Sequence, residues 1–167
     1  AAVGVVISTV TVEAGVTSDV TLLDAGRTVE LASAANADAA SAADGSATDG
    51  GNAAIGAGVA LTLAKVSNRA VIPAWLLVTA TNLVLSATVA ADAADHTATA
   101  TAASTAGAAG GFSVAGSVAI VIVDQDAVAA VYGTVALNGG DLTATAASDL
   151  AVTVTALPAA DGVSGKS

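Results

Sequence analysis

Over much of this chain, apolar or small residues alternate one for one with threonine, serine and charged residues. The stretches "TVTVEAG" at 9–15, "VALTLAKV" at 59–66, "TATATAA" at 97–103 and "AVTVTAL" at 151–157 keep a period of two, while "VAIVIVDQD" at 118–126 opens as an unbroken apolar run rich in β-branched residues. A period of two sends successive side chains to opposite faces of an extended backbone, so these stretches predict β-strands. Turn chemistry falls between them: "DAG" at 24–26, "DGSATDGGN" at 44–52, "AGAAGG" at 106–111, "NGGD" at 138–141 and "PAADG" at 158–162. Glycine, asparagine and aspartate there accept the backbone angles that corners need. One stretch competes for helix: "ELASAANADAASAADG", residues 30–45, is rich in alanine, the best helix former. Its counterpart 54 residues later, "VLSATVAADAADHTAT", is threaded with valine and threonine, which predicts strand for both.

The strands recur as a unit. "GVVIS" at Gly4, "GVALT" at Gly58 and "SVAIV" at Ser117 share one shape, and their valines Val5, Val59 and Val118 stand 54 and 59 residues apart. A second anchor, "VELAS" at Val29, "LVLSA" at Leu83 and "LTATA" at Leu142, returns spacings of 54 and 59 again. The chain therefore reads as a single array of three degenerate repeats of 54–59 residues, with approximate copies 1–54, 55–113 and 114–167. Period-two strands, glycine corners and small interiors predict an all-β fold, a β-solenoid in which each unit winds through two or more coils and each coil buries its faces on the next. Stacked β-sandwich modules are the alternative.

Composition narrows the picture. Of the 167 residues 54% are hydrophobic but only 2% aromatic, and there is no cysteine or methionine. Alanine and glycine lose almost no side-chain entropy on ordering and let two sheets approach more closely than the usual ~10 Å. No apolar run reaches the about 20 residues of a spanning helix: "VAGSVAIVIV" stops at Asp124, and "AVIPAWLLV" carries Pro73. A net charge of −10, with four bases (Arg27, Lys65, Arg69, Lys166) against 14 acids, argues against nucleic acid and against a polybasic membrane patch. Without cysteine there are no disulfides or thiolate-held metals, and the lack of oxidisable sulfur suits an extracellular setting.

The segments "GxGVALTL…NRAVIPA…VTATNLVLSATV" and "AGSVAIVIVDQDAVAAVYGTVALNGGDLTATAASD" resemble the Ala/Val/Thr/Gly-rich repeat arrays of giant bacterial surface adhesins, the filamentous haemagglutinin-like proteins and their relatives. The likeness covers nearly the whole chain and is best from Gly56 to Ala156. It implies an elongated extracellular β-solenoid stalk with an adhesive or matrix role, as in a biofilm. The chain departs from those arrays in its scarce asparagine and very high alanine.

Candidate chemistry is sparse. His96 follows Asp95, but one histidine without a second histidine or a cysteine makes no zinc site. No Gly-x-Ser-x-Gly turn supplies a nucleophile, since "AGSVA" lacks the closing glycine. His96 reads instead as a solvated turn residue opening a strand. Asp124 and Asp126 of "DQD", with Asp92 and Asp95, offer oxygens to calcium, but the usual calcium-loop patterns are absent and strand-end aspartates ordinarily cap turns. The glycine runs lack the lysine and hydroxyl of a phosphate loop. A polysaccharide-active solenoid enzyme would need basic or aromatic residues around its paired acids. Thr97, Thr99 and Thr101, echoed by Thr143 and Thr145 and by Thr153 and Thr155, put hydroxyls on one face of their strands. Stacked, they suggest an ice-binding array; taken singly, they are outer wall, since threonine favours strands.

The expected function is thus that of a structural or adhesive module of a cell-surface stalk or filament, not an enzyme and without cofactor. Its expected partner is itself. "AAVGVVISTV" bears no charge before Glu13, and "LPAADGVSGKS" offers no covering helix. Neither end looks like the polar cap that blocks further strand pairing, so end-to-end stacking is expected, with neighbouring repeats of a longer chain or with an identical subunit.

Overall fold

The alternation becomes strand throughout, and every strand pairs in parallel with its counterparts in the neighbouring repeats. The computed structural model describes residues 1–90, 95–108 and 111–161. The first coil holds β1 (Ala2–Ala14), β2 (Leu22–Asp24), β3 (Thr28–Ala35), β4 (Asp38–Asp44) and the short β5 (Ala47–Gly50). The second holds β6 (Ala53–Ile72), β7 (Leu77–Ala80), β8 (Asn82–Val89) and β9 (His96–Ala108). The third holds β10 (Phe112–Val131), β11 (Thr134–Leu137), β12 (Leu142–Ala146) and β13 (Leu150–Asp161). They stack as four parallel sheets, β1-β6-β10, β2-β7-β11, β3-β8-β12 and β4-β9-β13, with β5 also on β9. The fold is an all-β, solenoid-like stack. Each repeat makes one coil, not the two or more expected: alternation identifies strands but does not say how many corners make a turn.

The cross-section is a wedge. The long first sheet forms one layer, and the third and fourth sheets fold back against it, with the short second sheet closing the wide end. That end holds the large side chains: Leu31, Ile72, Leu76, Val78, Leu83 and Leu85 pack in one cluster. Toward the narrow end the core shrinks to Ala43, Ala60, Ala100 and Ala102. There the layers touch through backbone: Ala57 N–H of β6 donates to the Gly45 carbonyl beside β4 (2.9 Å), while the Gly45 N–H continues the ladder of its own sheet to the Ala103 carbonyl (3.0 Å). A Cβ on Gly58 would fall inside the contact distance of the Ala103 carbonyl oxygen. Small residues are what this end requires.

Several polar groups inside are paired across the layers, although Asn68 Oδ1, Ser113 Oγ and Gln125 Nε2 are buried without a partner. Thr62 Oγ1 donates to the Thr99 carbonyl (2.6 Å) and receives the Ser41 hydroxyl (2.7 Å), while Ser104 and Ser117 share a hydrogen bond of 2.8 Å. These bonds cross from one layer to the other and offset the cost of burying hydroxyls.

The alanine-rich stretch 30–45 is strand, as β3 and β4. Leu31, Ser33, Ala35, Ala37, Ala39, Ser41 and Ala43 are all buried while the residues between them are exposed, so stacking overrides alanine's helical preference. Two expectations need correction. Val3, not Val5, stands beside Val59, and Val5 pairs with Leu61, a spacing of 56 rather than 54. A slip of two residues leaves every side chain on its original face, so the pattern alone did not detect it. "PAADG" does not form a turn where expected: β13 runs through Pro158 to Asp161. Among the described residues β13 has a neighbour, β9, on one side only, a position in which a strand tolerates proline.

Corners absorb the differences in repeat length. Register jumps from 54 on the third sheet (Ala35 beside Val89) to 59 on the fourth (Asp38 beside Thr97), which places five extra residues in the second coil between β8 and β9. Asp92 lies there, outside the described residues. In the third coil "NGGD" forms the corner between β11 and β12, and Gly139 takes a φ of 82°, which glycine adopts without strain.

Candidate functional site

His96 begins β9, as expected, but it is buried (3% exposed) rather than solvated. Its Nδ1 accepts the backbone N–H of Ala37 from the coil below at 3.0 Å, and its own N–H donates to the Asp149 carbonyl of the coil above at 2.9 Å. The ring thus links two coils whose spacing changes from 54 to 59 between the third and fourth sheets. The acceptor role of Nδ1 leaves the ring proton on Nε2.

The carboxylates stay apart. Asp124 and Asp126 share the outer face of β10, and Asp124 Oδ2 lies 2.9 Å from Lys65 Nζ in a solvent-exposed ion pair. Such pairs contribute about 0–1 kcal/mol. Among the described residues no three carboxylate or histidine groups gather around one point.

The threonines divide between two sheets. Thr97, Thr99 and Thr101 lie on the outer face of the fourth sheet, alternating with buried Ala98, Ala100 and Ala102. Register sets Thr99 beside Thr153 and Thr101 beside Thr155, a square of four hydroxyls. The first coil breaks the ladder with Ala40 and Ala42, and Thr97 has Asp38 and Ala151 as neighbours. Thr143 and Thr145 stand on the third sheet beside Val84 and Ser86.

The largest feature is one that the sequence reading passed over. The outer face of the first sheet carries apolar rows across all three coils: Val3–Val59–Val118, Val5–Leu61–Ile120 and Ile7–Leu63–Ile122. Ile55 and Val114 extend it on the narrow side, with Phe112 beyond. Val3, Ile7 and Phe112 are 73%, 72% and 65% exposed. The panel stops at the row Thr9–Lys65–Asp124, where a groove of about 260 Å³ opens between Ile7, Leu63 and Ile122 and the Lys65–Asp124 pair. The signal was present in "VAIVIV": an unbroken apolar run points both of its faces toward nonpolar surroundings, and a solenoid wall can bury only one of them.

A second apolar surface lies on the third coil. Leu150, Val152 and Val154 of β13 point inward yet are 36%, 49% and 51% exposed, whereas their partners in β9, His96, Ala98 and Ala100, are 3%, 0% and 0% exposed. The two layers are staggered: β4 packs against β1 and β6, β9 against β6 and β10, and β13 against β10.

No family model, curated protein or solved structure matches this chain.

Proposed function

We propose that the chain is a structural or adhesive module, a segment of an extracellular stalk or filament on a bacterial surface or in its matrix. The observation that carries this reading is the stagger. Among the described residues the inward face of β13 has one strand of the opposite layer against it where β4 and β9 each have two, which leaves Val152 and Val154 open to a further coil. That coil can come from the same polypeptide or from another copy. The likeness of the repeats to adhesin arrays favours the surface setting, and a net charge of −10 suits a solvated, self-repelling exterior. Electron microscopy of the purified 167-residue chain tests the reading. Rods growing along the stacking axis are expected, each copy adding three rungs of ~4.8 Å. Isolated particles at every concentration would overturn it.

The Thr99–Thr153 and Thr101–Thr155 square supports a second reading, ice binding by a regular array of methyls and hydroxyls. It predicts thermal hysteresis at micromolar protein, lost in Thr101→Lys.

A further inference from the structure

We infer that the outer face of the first sheet is a lateral pairing surface, and that its occupant is the same face of a second copy. This goes beyond end-to-end stacking, which uses the rung edges and leaves this face in water.

The size of the panel requires an explanation. From Phe112 to Ile122 it runs ten residues, roughly 33 Å at 3.3 Å per residue, two strands wide as far as Gly116 and three strands wide, spaced about 4.8 Å apart, from Val118 on. That is roughly 450 Å² of flat apolar area, the size of the largest patch on a typical monomer, which is often functional. Two such faces together approach the ~1,000 Å² at which specific pairing begins.

Shape and charge select the partner. Valine, isoleucine and leucine on a flat parallel sheet interdigitate with another flat sheet at about 10 Å, as in a sandwich. Phe112 is the panel's one aromatic residue, too few to stack sugar rings. The face is also self-complementary. A two-fold axis along β6 sets Val59 over Val59 of the second copy and the first rung over the third. Asp124 and Asp126 then lie over Thr9 and Thr11 of the second copy, not over other acids. The same axis sets Lys65 over Lys65 of the second copy, and the Asp124 of each copy flanks that pair.

The chain has no cysteine, so single cysteines report the geometry directly. Val59→Cys lies mid-panel on the middle rung and is conservative in size. Because facing sheets at about 10 Å hold the two Cα atoms beyond disulfide reach, a short bis-maleimide is used: it is expected to give cross-linked dimers, while Leu22→Cys on the second sheet, exposed but off the panel, stays unlinked. Sedimentation of the unsubstituted chain is expected to show a concentration-dependent dimer. Val5→Lys with Ile120→Lys, both outward-facing, should raise its Kd at least tenfold with an unchanged circular dichroism spectrum. A monomer at all concentrations would overturn the inference. So would assembly in which Val59→Cys remains unlinked, since end-to-end growth leaves that residue in water. Flotation with phosphatidylcholine vesicles by a chain that does not cross-link would assign the panel to lipid instead.

Discussion

The backbone N–H of Ala37 ends on the Nδ1 of His96, 59 residues further along the chain and one coil higher. Between β3 and β4 the first coil turns its corner in two residues, Asn36 and Ala37. The second coil has five more residues between its corresponding strands, and the Ala37 N–H is met by an imidazole nitrogen. His96 is therefore the mortar between two coils of unequal length.

Removing that acceptor leaves a buried N–H without a partner, which costs about 1–3 kcal/mol. His96→Leu should lower stability by this amount although it adds no charge and keeps an apolar side chain of similar bulk. Denaturant unfolding of the two chains measures it. A change below ~0.5 kcal/mol would show that Ala37 N–H finds water or another acceptor.

A second prediction concerns the narrow end. Gly58 sits against the Ala103 carbonyl, and the two layers hydrogen-bond directly alongside. Overpacking a tight interior typically costs 1–3 kcal/mol. Gly58→Val should reach at least the upper part of that range, because the atom in its way is backbone and cannot rotate aside. Ala57→Val, one residue earlier and facing outward, should change stability by under about 0.5 kcal/mol.

How much of this was legible beforehand follows from what each signal encodes. Alternation reports which side chains share a face, so the strands were readable even in the alanine-rich stretch 30–45. It is blind to shifts of two, hence the misplacement of Val5 against Val59. It is equally blind to closure, hence the wrong number of coils per repeat. His96 looked solvated because a lone imidazole beside Asp95 carries no sign of the short Asn36–Ala37 corner beneath it. Thr99 and Thr153 could be brought together only once the register was known, since the spacing of 54 there differs from the 59 that joins β4 to β9. The outer panel was legible in principle, as an apolar run too continuous for a wall with one wet face.

Acid should act through Asp38. Its Oδ1 accepts the Thr97 hydroxyl at 2.6 Å and the Thr97 N–H at 3.3 Å, and its Oδ2 accepts Asn36 Nδ2 at 3.2 Å. The Thr97 hydroxyl bond, first of these, holds the carboxyl below the ordinary aspartate value. Folding therefore favours the ionised form. Its contribution is complete above the unfolded pKa of about 3.9 and fades as pH falls through the lowered folded value. An NMR titration should find Asp38 below the ordinary value in the folded chain, and Thr97→Val should bring it back up. The stability gap between the parent and Asp38→Asn should close over the same acid range.

The last prediction separates the two faces of one strand. Val152 and Thr153 are neighbours in β13, but Val152 points into the solenoid beside buried Ala98, and Thr153 points out beside Thr99. Val152 is 49% exposed because a single strand of the opposite layer reaches β13. If a further coil docks there, a charge at Val152 would be buried without a partner on docking, whereas in the separate chain it remains in water. Val152→Lys should therefore leave the folded copy intact by circular dichroism and raise the concentration needed for axial growth at least tenfold. Thr153→Lys adds the same charge one residue away and should leave axial growth within about twofold, since surface changes away from contacts are nearly neutral. Light scattering on the two variants reads the difference. Equal effects would mean that growth does not proceed through the inward face of β13.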